Sequence, residues 1–491
     1  MSGQRLDLLL QGIADTSGCG DIVVSGLCLD SRQVAAGDAF FALRGLHGHG
    51  IEFAASAVAR GARVVLAQAP AMPVEALPVP VLWIDDLQQQ VGEIAARFYD
   101  HPSRALRVIG VTGTNGKTST VQLLVQALER LGHRAASIGT LGAGLHGQLR
   151  EGERTTPDAI AVQALLAEFR AAGATHVAME VSSHALSQGR VNAVQFEVAA
   201  FTNLTRDHLD YHGDMQAYGE VKASLFAWPQ LRAAVLNIDD AFGHELSTRL
   251  PPGPACLRIS SADQREAEIA ASAIVTSSEG LAFELRTPWG VRPVQSPLLG
   301  RFNVANLLTV AACLGALGES FEAIVAALEQ VQPVNGRMSR LGGQGRQPLV
   351  VVDYAHTPDA LEQSLGALRA HCSGRLICVF GCGGERDAGK RPLMGAIAAE
   401  KADTVIVTDD NPRGEDGDAI VAQIVAGMND PTAALIERDR AVAIYSALAQ
   451  AKPGDVLLIA GKGHETYQEG AHGKRPFDDL AVARAALEQY A

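Results

Sequence analysis

The chain has 491 residues, 47% apolar and 19% charged, which suits a soluble globular protein of roughly two to four domains. Its 54 acidic against 41 basic residues leave a net charge of -13, which argues against non-specific binding to nucleic acid or an anionic membrane but still allows a small basic pocket. The seven cysteines are scattered, and the one close pair, Cys378 and Cys382, is not a CxxC; all read as reduced thiols with no zinc site.

The first residues carry a short apolar run, Leu8 to Leu10, and then turn acidic, unlike a signal peptide. No window approaches the ~20 apolar residues of a membrane span, so the expectation is a cytoplasmic protein without membrane insertion or nucleic-acid partner. Residues 1–104 read as a small α/β unit with strands at Ala62–Ala67 and Val79–Ile84, separated by a proline-rich stretch. The break His101-Pro102-Ser103 ends a helical pattern, because a residue before proline disfavours helix.

A strand at Leu106–Val111 then runs into a glycine-punctuated loop, Gly113 to Lys117, and a helix over Thr118–Leu131. Val121, Leu124, Val125, Leu128 and Leu131 share one helix face, and Gly132 stops it. Further buried-type strands at Thr175–Val181, Val198–Thr202 and Ala233–Asn237 alternate with helices, which predicts a mostly parallel sheet. The stretch Asn335–Arg346 reads as a linker. Beyond it, strands at Leu349–Asp353, Leu376–Gly381, Thr404–Thr408 and Val456–Ala460 predict a doubly wound, Rossmann-like α/β domain. The fold class is α/β throughout.

The strongest local signal is Gly110-Val-Thr-Gly113-Thr-Asn-Gly116-Lys117-Thr118. After a strand and at the start of a helix, its glycines let backbone N–H groups approach phosphates. Lys117 would reach the β/γ-phosphates and Thr118 would ligate Mg²⁺, although Val111 stands where the strict spacing has glycine. Two clusters end later strands: Met179-Glu180-Val-Ser182-Ser183-His184 and Thr202-Asn203-Leu-Thr-Arg206-Asp207-His208-Leu-Asp210-Tyr-His212. Ligands of open α/β sheets bind at the carboxyl ends of strands, so Glu180 and His208 are candidate metal ligands there. Taken singly, either would be an ordinary solvated polar group. Four polar loops end strands of the last domain, at 353–358, 383–387, 408–413 and 461–465. Their arginines suit carboxylates, since the guanidinium fork accepts both oxygens. Residue chemistry alone therefore reaches an ATP-using enzyme with an anionic second substrate.

These clusters, with Asn303-Val-Ala-Asn306 and Asp353-Tyr-Ala-His-Thr-Pro358, closely resemble the Mur ligases over nearly the whole chain. Leu29-Asp30-Ser31-Arg32 and Asp410-Asn411-Pro412-Arg413 resemble the members that add diaminopimelate to a UDP-muramoyl dipeptide. The resemblance implies three domains, at 1–104 for the UDP-muramoyl group, 105–336 for ATP and 337–491 for the amino acid. It implies ATP contacts from Gly113, Thr114, Asn115, Gly116, Lys117, Thr118 and Ser119, and from Asn306, Arg337, Asp353 and His356. Leu29, Ser31, Leu46, His47 and Gly48 would take the uridine end, and Thr155, Thr156, Ser182, Gln188 and Arg190 the muramoyl dipeptide. Arg154 departs from the asparagine of some members. Arg386, Asp410, Asn411, Pro412, Arg413, Gly461 and Glu465 match the diaminopimelate site. Lys117, Lys222, His208 and Glu180 match the catalytic positions. Lys222 would be carbamylated and would hold Mg²⁺ together with Thr118, Glu180 and His208. The expected partners are small-molecule substrates of cell-wall peptidoglycan synthesis, handled by a monomer. Rival readings are ligation of L-lysine to the same substrate, a folylpolyglutamate-synthase-like ligase, and a non-catalytic nucleotide-binding protein.

Overall fold

A computed structural model of the protein describes residues 3–45, 48–73, 75–277 and 279–488. By packing the chain divides into two units, Met1–Arg258 and Ile259–Ala491.

After a short antiparallel pair, Gln4–Arg5 with Val23–Val24, the first unit forms a parallel sheet of four strands, β1 (Gly26–Cys28), β2 (Asp38–Ala42), β3 (Val64–Gln68) and β4 (Val81–Ile84), in that order. Composition alone shows only the last two. Helix α1 (Leu87–Phe98) packs Leu87, Val91, Ile94 and Phe98 against the sheet's Ala39, Phe41, Val64 and Leu66. The second sheet of this unit runs β5 (Arg107–Thr112), β6 (Ala135–Gly139), β7 (Gly142–Leu145), β8 (His176–Glu180), β9 (Phe196–Phe201) and β10 (Ala233–Asn237) along the chain. In space the order is β10-β9-β5-β8-β6-β7, parallel except for β7. Strand order thus reverses at β5, where an α/β sheet opens a crevice. Helix α2 (Lys117–Arg130) follows β5 directly and buries Val121, Leu124, Val125 and Leu128, the face its periodicity predicts.

The second unit starts with an antiparallel meander, β11 (Ile269–Ser277), β12 (Gly280–Thr287) and β13 (Gly290–Ser296), that the sequence reading lacks. The segment expected as a linker carries a strand, β14 (Ser339–Gly342), which pairs antiparallel with β15 (Leu349–Asp353). Main-chain hydrogen bonds to a neighbour make it a strand despite its glycines. Then come β16 (Leu376–Phe380), β17 (Thr404–Val407), β18 (Leu435–Ile436) and β19 (Val456–Ala460), in the spatial order β14-β15-β19-β16-β17-β18. All pairs after β14 are parallel. The central strands are buried on both faces, as a doubly wound sheet requires. Leu349, Val351, Leu376, Cys378, Val456 and Leu458 face one apolar cluster; Val350, Val352, Ile377, Val379, Leu457 and Ile459 face another. A hairpin, β20 (Tyr467–Gly470) with β21 (Gly473–Pro476), and helix α3 (Asp479–Glu488) close the unit. The α/β class is therefore as expected, and all seven cysteines are free thiols.

Candidate active site

In the first unit the crevice is built around β5. Gly113, at φ 140°, follows the strand, and Gly116, at φ 84°, caps α2; these are left-handed values that glycine adopts without strain. At Gly113 a side chain is also excluded by space, because a Cβ would lie 1.9 Å from Thr202 Oγ1. The second cluster braces this loop. Thr114 N donates to Asn203 O at 2.8 Å, Asn115 N to Asn203 Oδ1 at 2.9 Å, and Thr202 Oγ1 to Asn115 O at 2.6 Å. Lys117 Nζ lies along the loop, donating to Gly113 O at 2.9 Å and Thr114 O at 2.8 Å.

Glu180, at the end of β8, is 1% exposed, so its charge must be shared out through hydrogen bonds. It accepts from Thr118 Oγ1 at 3.0 Å, Thr140 N at 2.8 Å and Thr140 Oγ1 at 3.2 Å. Thr140 lies 3.1 Å, hydroxyl to hydroxyl, from Thr155. Thr156 Oγ1 donates to Glu180 O at 2.8 Å and accepts from Ser182 N. Arg190 forks onto Gln188 Oε1 and donates to Thr156 O at 3.0 Å. The structure thus joins Thr118, Glu180, Thr155, Thr156, Ser182, Gln188 and Arg190. Thr140, with no motif to announce it, is the member sequence reasoning missed.

Lys222 is 1% exposed; its Nζ donates to Gly113 O at 2.8 Å and sits 4.4 Å from the Tyr218 ring centroid. Burial, reinforced by the charge of Lys117, pulls its pKa down to about 6. His208 occupies a left-handed turn at φ 52°, with Nε2 3.3 Å from Asp207 Oδ2 and its ring 4.9 Å from that of His184. Tyr218 lies 6.2 Å from the His208 ring, on the same side chain that supports Lys222. Among the described residues no three His, Cys, Asp or Glu side chains converge into a metal cage. The four metal candidates instead form a Thr118–Glu180 pair, with His208 and Lys222 each against Tyr218. Hard oxygen donors in small number suit Mg²⁺, which takes few protein ligands beside phosphate and water.

On the N-terminal sheet Ser31 is buried, Leu29 packs on the apolar cluster, and Asp30 is held down to about 2, chiefly by its hydrogen bond from Arg32. Gly48 O closes a turn by accepting from Gly45 N; Leu46 and His47 lie outside the described residues.

In the second unit all four polar loops sit at carboxyl ends of adjacent strands. After β15, Asp353 accepts from Met338 N at 2.7 Å and Ser364 Oγ at 3.2 Å, and burial raises its pKa. Arg337 stacks 5.0 Å from the Tyr354 centroid, and His356 Nδ1 is 2.8 Å from Tyr354 O. Asn306 sits on the helix Phe302–Leu317, where its amide donates to Asn303 Oδ1. After β17 and β19, Asn411 Nδ2 donates to Glu465 Oε2 at 2.9 Å, and Gly461, at φ 116°, leaves room for Asp410, whose Oδ2 a Cβ would meet at 2.5 Å. Asp410 is buried and its pKa raised by that burial. Arg413 Nε pairs with Glu469 Oε2, while Arg386 is exposed and donates to Glu385 O at 3.5 Å. Beneath these loops Arg440 and Asp479, both 0% exposed, form a two-bond pair at 2.7 Å each, and Arg440 Nη2 donates to Ala460 O. Lys462, Glu469 and Arg440 had no assigned role in the sequence reading, although Lys462 lies inside one of its loops.

A phosphate loop at one sheet's reversal point, with a charged loop cluster on a second sheet, defines a nucleotide-using α/β enzyme. The Mur ligase family's catalytic domain, the Mur ligase middle domain and the Mur ligase glutamate ligase domain match residues 23–99, 111–314 and 336–463. The chain belongs to the Mur ligase family. It is 55% identical over 483 residues, 98% of each chain, to the UDP-N-acetylmuramoyl-L-alanyl-D-glutamate–2,6-diaminopimelate ligase of Xanthomonas campestris pv. campestris. A similarly named protein of Xylella fastidiosa is 53% identical over 98% of this chain and 97% of its own. A solved structure of a UDP-N-acetylmuramoyl-L-alanyl-D-glutamate–2,6-diaminopimelate ligase is similar at a TM-score of 0.76 and 36% identity, covering 99% of both chains.

Proposed function

We propose that this protein is an ATP-dependent amide-bond ligase of peptidoglycan precursor synthesis. It joins meso-diaminopimelate to the D-glutamate γ-carboxylate of UDP-N-acetylmuramoyl-L-alanyl-D-glutamate. The observation that carries this is 55% identity to a ligase of that name over 98% of both chains, on a fold whose phosphate loop and charged loops are intact. It favours diaminopimelate over lysine and over a folate substrate. Residues 1–104, 105–336 and 337–491 then serve the UDP-muramoyl group, ATP and the amino acid. The site of action is the cytoplasm, and the unit of action a monomer.

The γ-carboxylate attacks the γ-phosphorus of ATP, forming an acyl phosphate and releasing ADP. The diaminopimelate amine then attacks the acyl carbon, phosphate leaves, and the amine proton passes to solvent. The first step brings two anions together, so it depends on preorganised positive charge. The α2 N-terminus and Lys117 supply it from this chain. Mg²⁺, held by Thr118, Glu180, His208 and Lys222, would neutralise the phosphate oxygens. Near neutral pH the depressed Lys222 pKa leaves a free amine lone pair. Attack of this neutral amine on CO₂ would form an N–C bond and release one proton, turning the amine into an anionic oxygen donor. Isotopically labelled carbon dioxide should give a carbamate signal that Lys222→Ala lacks.

The functional test is phosphate release from ATP with the UDP-muramoyl dipeptide and either meso-diaminopimelate or L-lysine, and with glutamate plus a folate. Release with diaminopimelate alone is expected; comparable efficiency with lysine overturns the specificity, and release only with the folate pair overturns the substrate.

A further inference from the structure

The loops after β17 and β19 hold more charge than the family resemblance assigns. Arg413 has φ 51°, a left-handed value that a residue with a Cβ keeps only when its surroundings hold it. Glu469, on the hairpin strand β20, holds it twice. Arg413 N donates to Glu469 O at 3.0 Å, and Arg413 Nε to Glu469 Oε2 at 3.1 Å. Arg413 Nη1 donates to Gly384 O at 2.8 Å. One edge of the guanidinium is thereby capped by the protein's own carboxylate. A ligand carboxylate is left the end-on approach, through the remaining hydrogens of Nη1 and Nη2.

Glu469 is itself fixed from beneath. Its N donates to Asn411 Oδ1 at 2.9 Å, and the same oxygen accepts from Lys462 Nζ at 3.0 Å. Lys462 Nζ also donates to Glu465 Oε2 at 2.9 Å, which accepts from Asn411 Nδ2. Lys462 is 0% exposed, so it cannot reach a substrate. A buried ammonium is costly to desolvate and needs such partners.

We propose that Glu469 and Lys462 are positioning residues for the amino-acid substrate. Glu469 aims the Nη edge of Arg413 at the distal carboxylate, and Lys462 locks Asn411 and Glu465 into one rigid frame. The inference rests on the diaminopimelate reading of this site and names the groups that set its geometry. Because Glu469 partly neutralises Arg413, recognition depends on end-on fit more than on bulk attraction, and a substrate without a carboxylate at that distance is rejected.

The experiment varies diaminopimelate at saturating ATP and UDP-muramoyl dipeptide, in wild type, Glu469→Gln, Glu469→Ala, Lys462→Met and Arg413→Ala, with thermal unfolding of each. Glu469→Ala and Lys462→Met should raise KM for diaminopimelate about tenfold or more, with kcat within a few-fold and KM for ATP unchanged. Glu469→Gln, which keeps an acceptor for Nε but not the charge, should fall between. The preference for diaminopimelate over lysine should narrow in Glu469→Ala. If Arg413→Ala raises this KM while folded Glu469 variants do not, the brace is refuted and the site reading stands. If Arg413→Ala also leaves it unchanged, the amino-acid reading of the site fails. Should Lys462→Met not fold, the Glu469 variants, at a partly exposed position, decide the matter.

Discussion

The glycine loop of the first unit and the charged loops of the second, proposed above for phosphate and amino acid, solve similar problems in different materials. Both sit at carboxyl ends of parallel strands. The phosphate loop is made largely of main chain: two glycines at positive φ, a helix N-terminus, and hydroxyl and amide braces from Thr202 and Asn203. The second cluster is made of side-chain pairs, with Arg413 on Glu469, Lys462 on Glu465 and Asn411, and Arg440 on Asp479. Phosphate oxygens can be met by backbone N–H groups, whose geometry a few contiguous residues determine. Telling one diamino acid from another needs charges at set distances, and these come from residues far apart in sequence.

The sharpest way to break this contrast is Lys117→Ala, which removes the phosphate loop's own side-chain cation. Ligation should fall about 10³-fold in a folded protein, measured as ATP-dependent phosphate release; near-wild-type turnover would remove Lys117 from the mechanism. In the side-chain region, Asp479→Ala leaves a buried guanidinium unpaired. Denaturant unfolding should report a loss of roughly 3 kcal/mol or more, and an unchanged midpoint would show that the pair carries little of that region's stability. Lys222→Ala should lower turnover about 100-fold and recover in part with added short-chain carboxylates. Full activity without them would mean that the amine itself is dispensable.

The smallest effect tests the opposite end of the first unit's sheet. His176 begins β8, four residues before Glu180, and burial lowers its pKa from 6.5 to about 4. A base whose folded pKa is depressed binds a proton less readily than the unfolded chain does, so folded stability is lost as pH falls. The window runs from 6.5, where the unfolded imidazole charges, to about 4, where the folded one follows. Across it the wild type should lose roughly 1 to 3 kcal/mol relative to His176→Phe, with kcat near neutral pH unaffected. Parallel acid-unfolding curves would count against this burial penalty.

Legibility followed the same division. Strands Ala233–Asn237, Leu349–Asp353 and Val456–Ala460 were bounded from their apolar runs alone, because strands covered on both faces are continuously hydrophobic. The glycine loop and its helix were legible for the backbone reasons given above. Strand β2, Asp38–Ala42, and the meander β11–β13 were not. In the meander β11 opens on small residues with little alternation, although β12 alternates Leu281, Phe283 and Leu285 inward, and Ser339–Gly342 reads as a linker until its partner strand gives its backbone somewhere to bond. At the site, Thr140 and Glu469 carry no motif, since each acts through contacts to residues distant in sequence. The sequence proposes Arg413 as a carboxylate reader, while its capped edge, made by Glu469 56 residues away, leaves no local signal.

The Arg440–Asp479 pair also has a meaning in time. On the ribosome the guanidinium enters the chain 39 residues before the carboxylate that neutralises it. Until α3 emerges, closing the sheet over Arg440 would bury a lone charge, so the charged loops above it are expected to settle late. The glycine loop's braces run from Asn203 and Thr205 to Tyr218 and Lys222, all of them far ahead of Asp479 in the chain. Domains tend to fold from the N-terminus as they are synthesised, so the charged loops of the second unit are expected to settle after the glycine loop of the first.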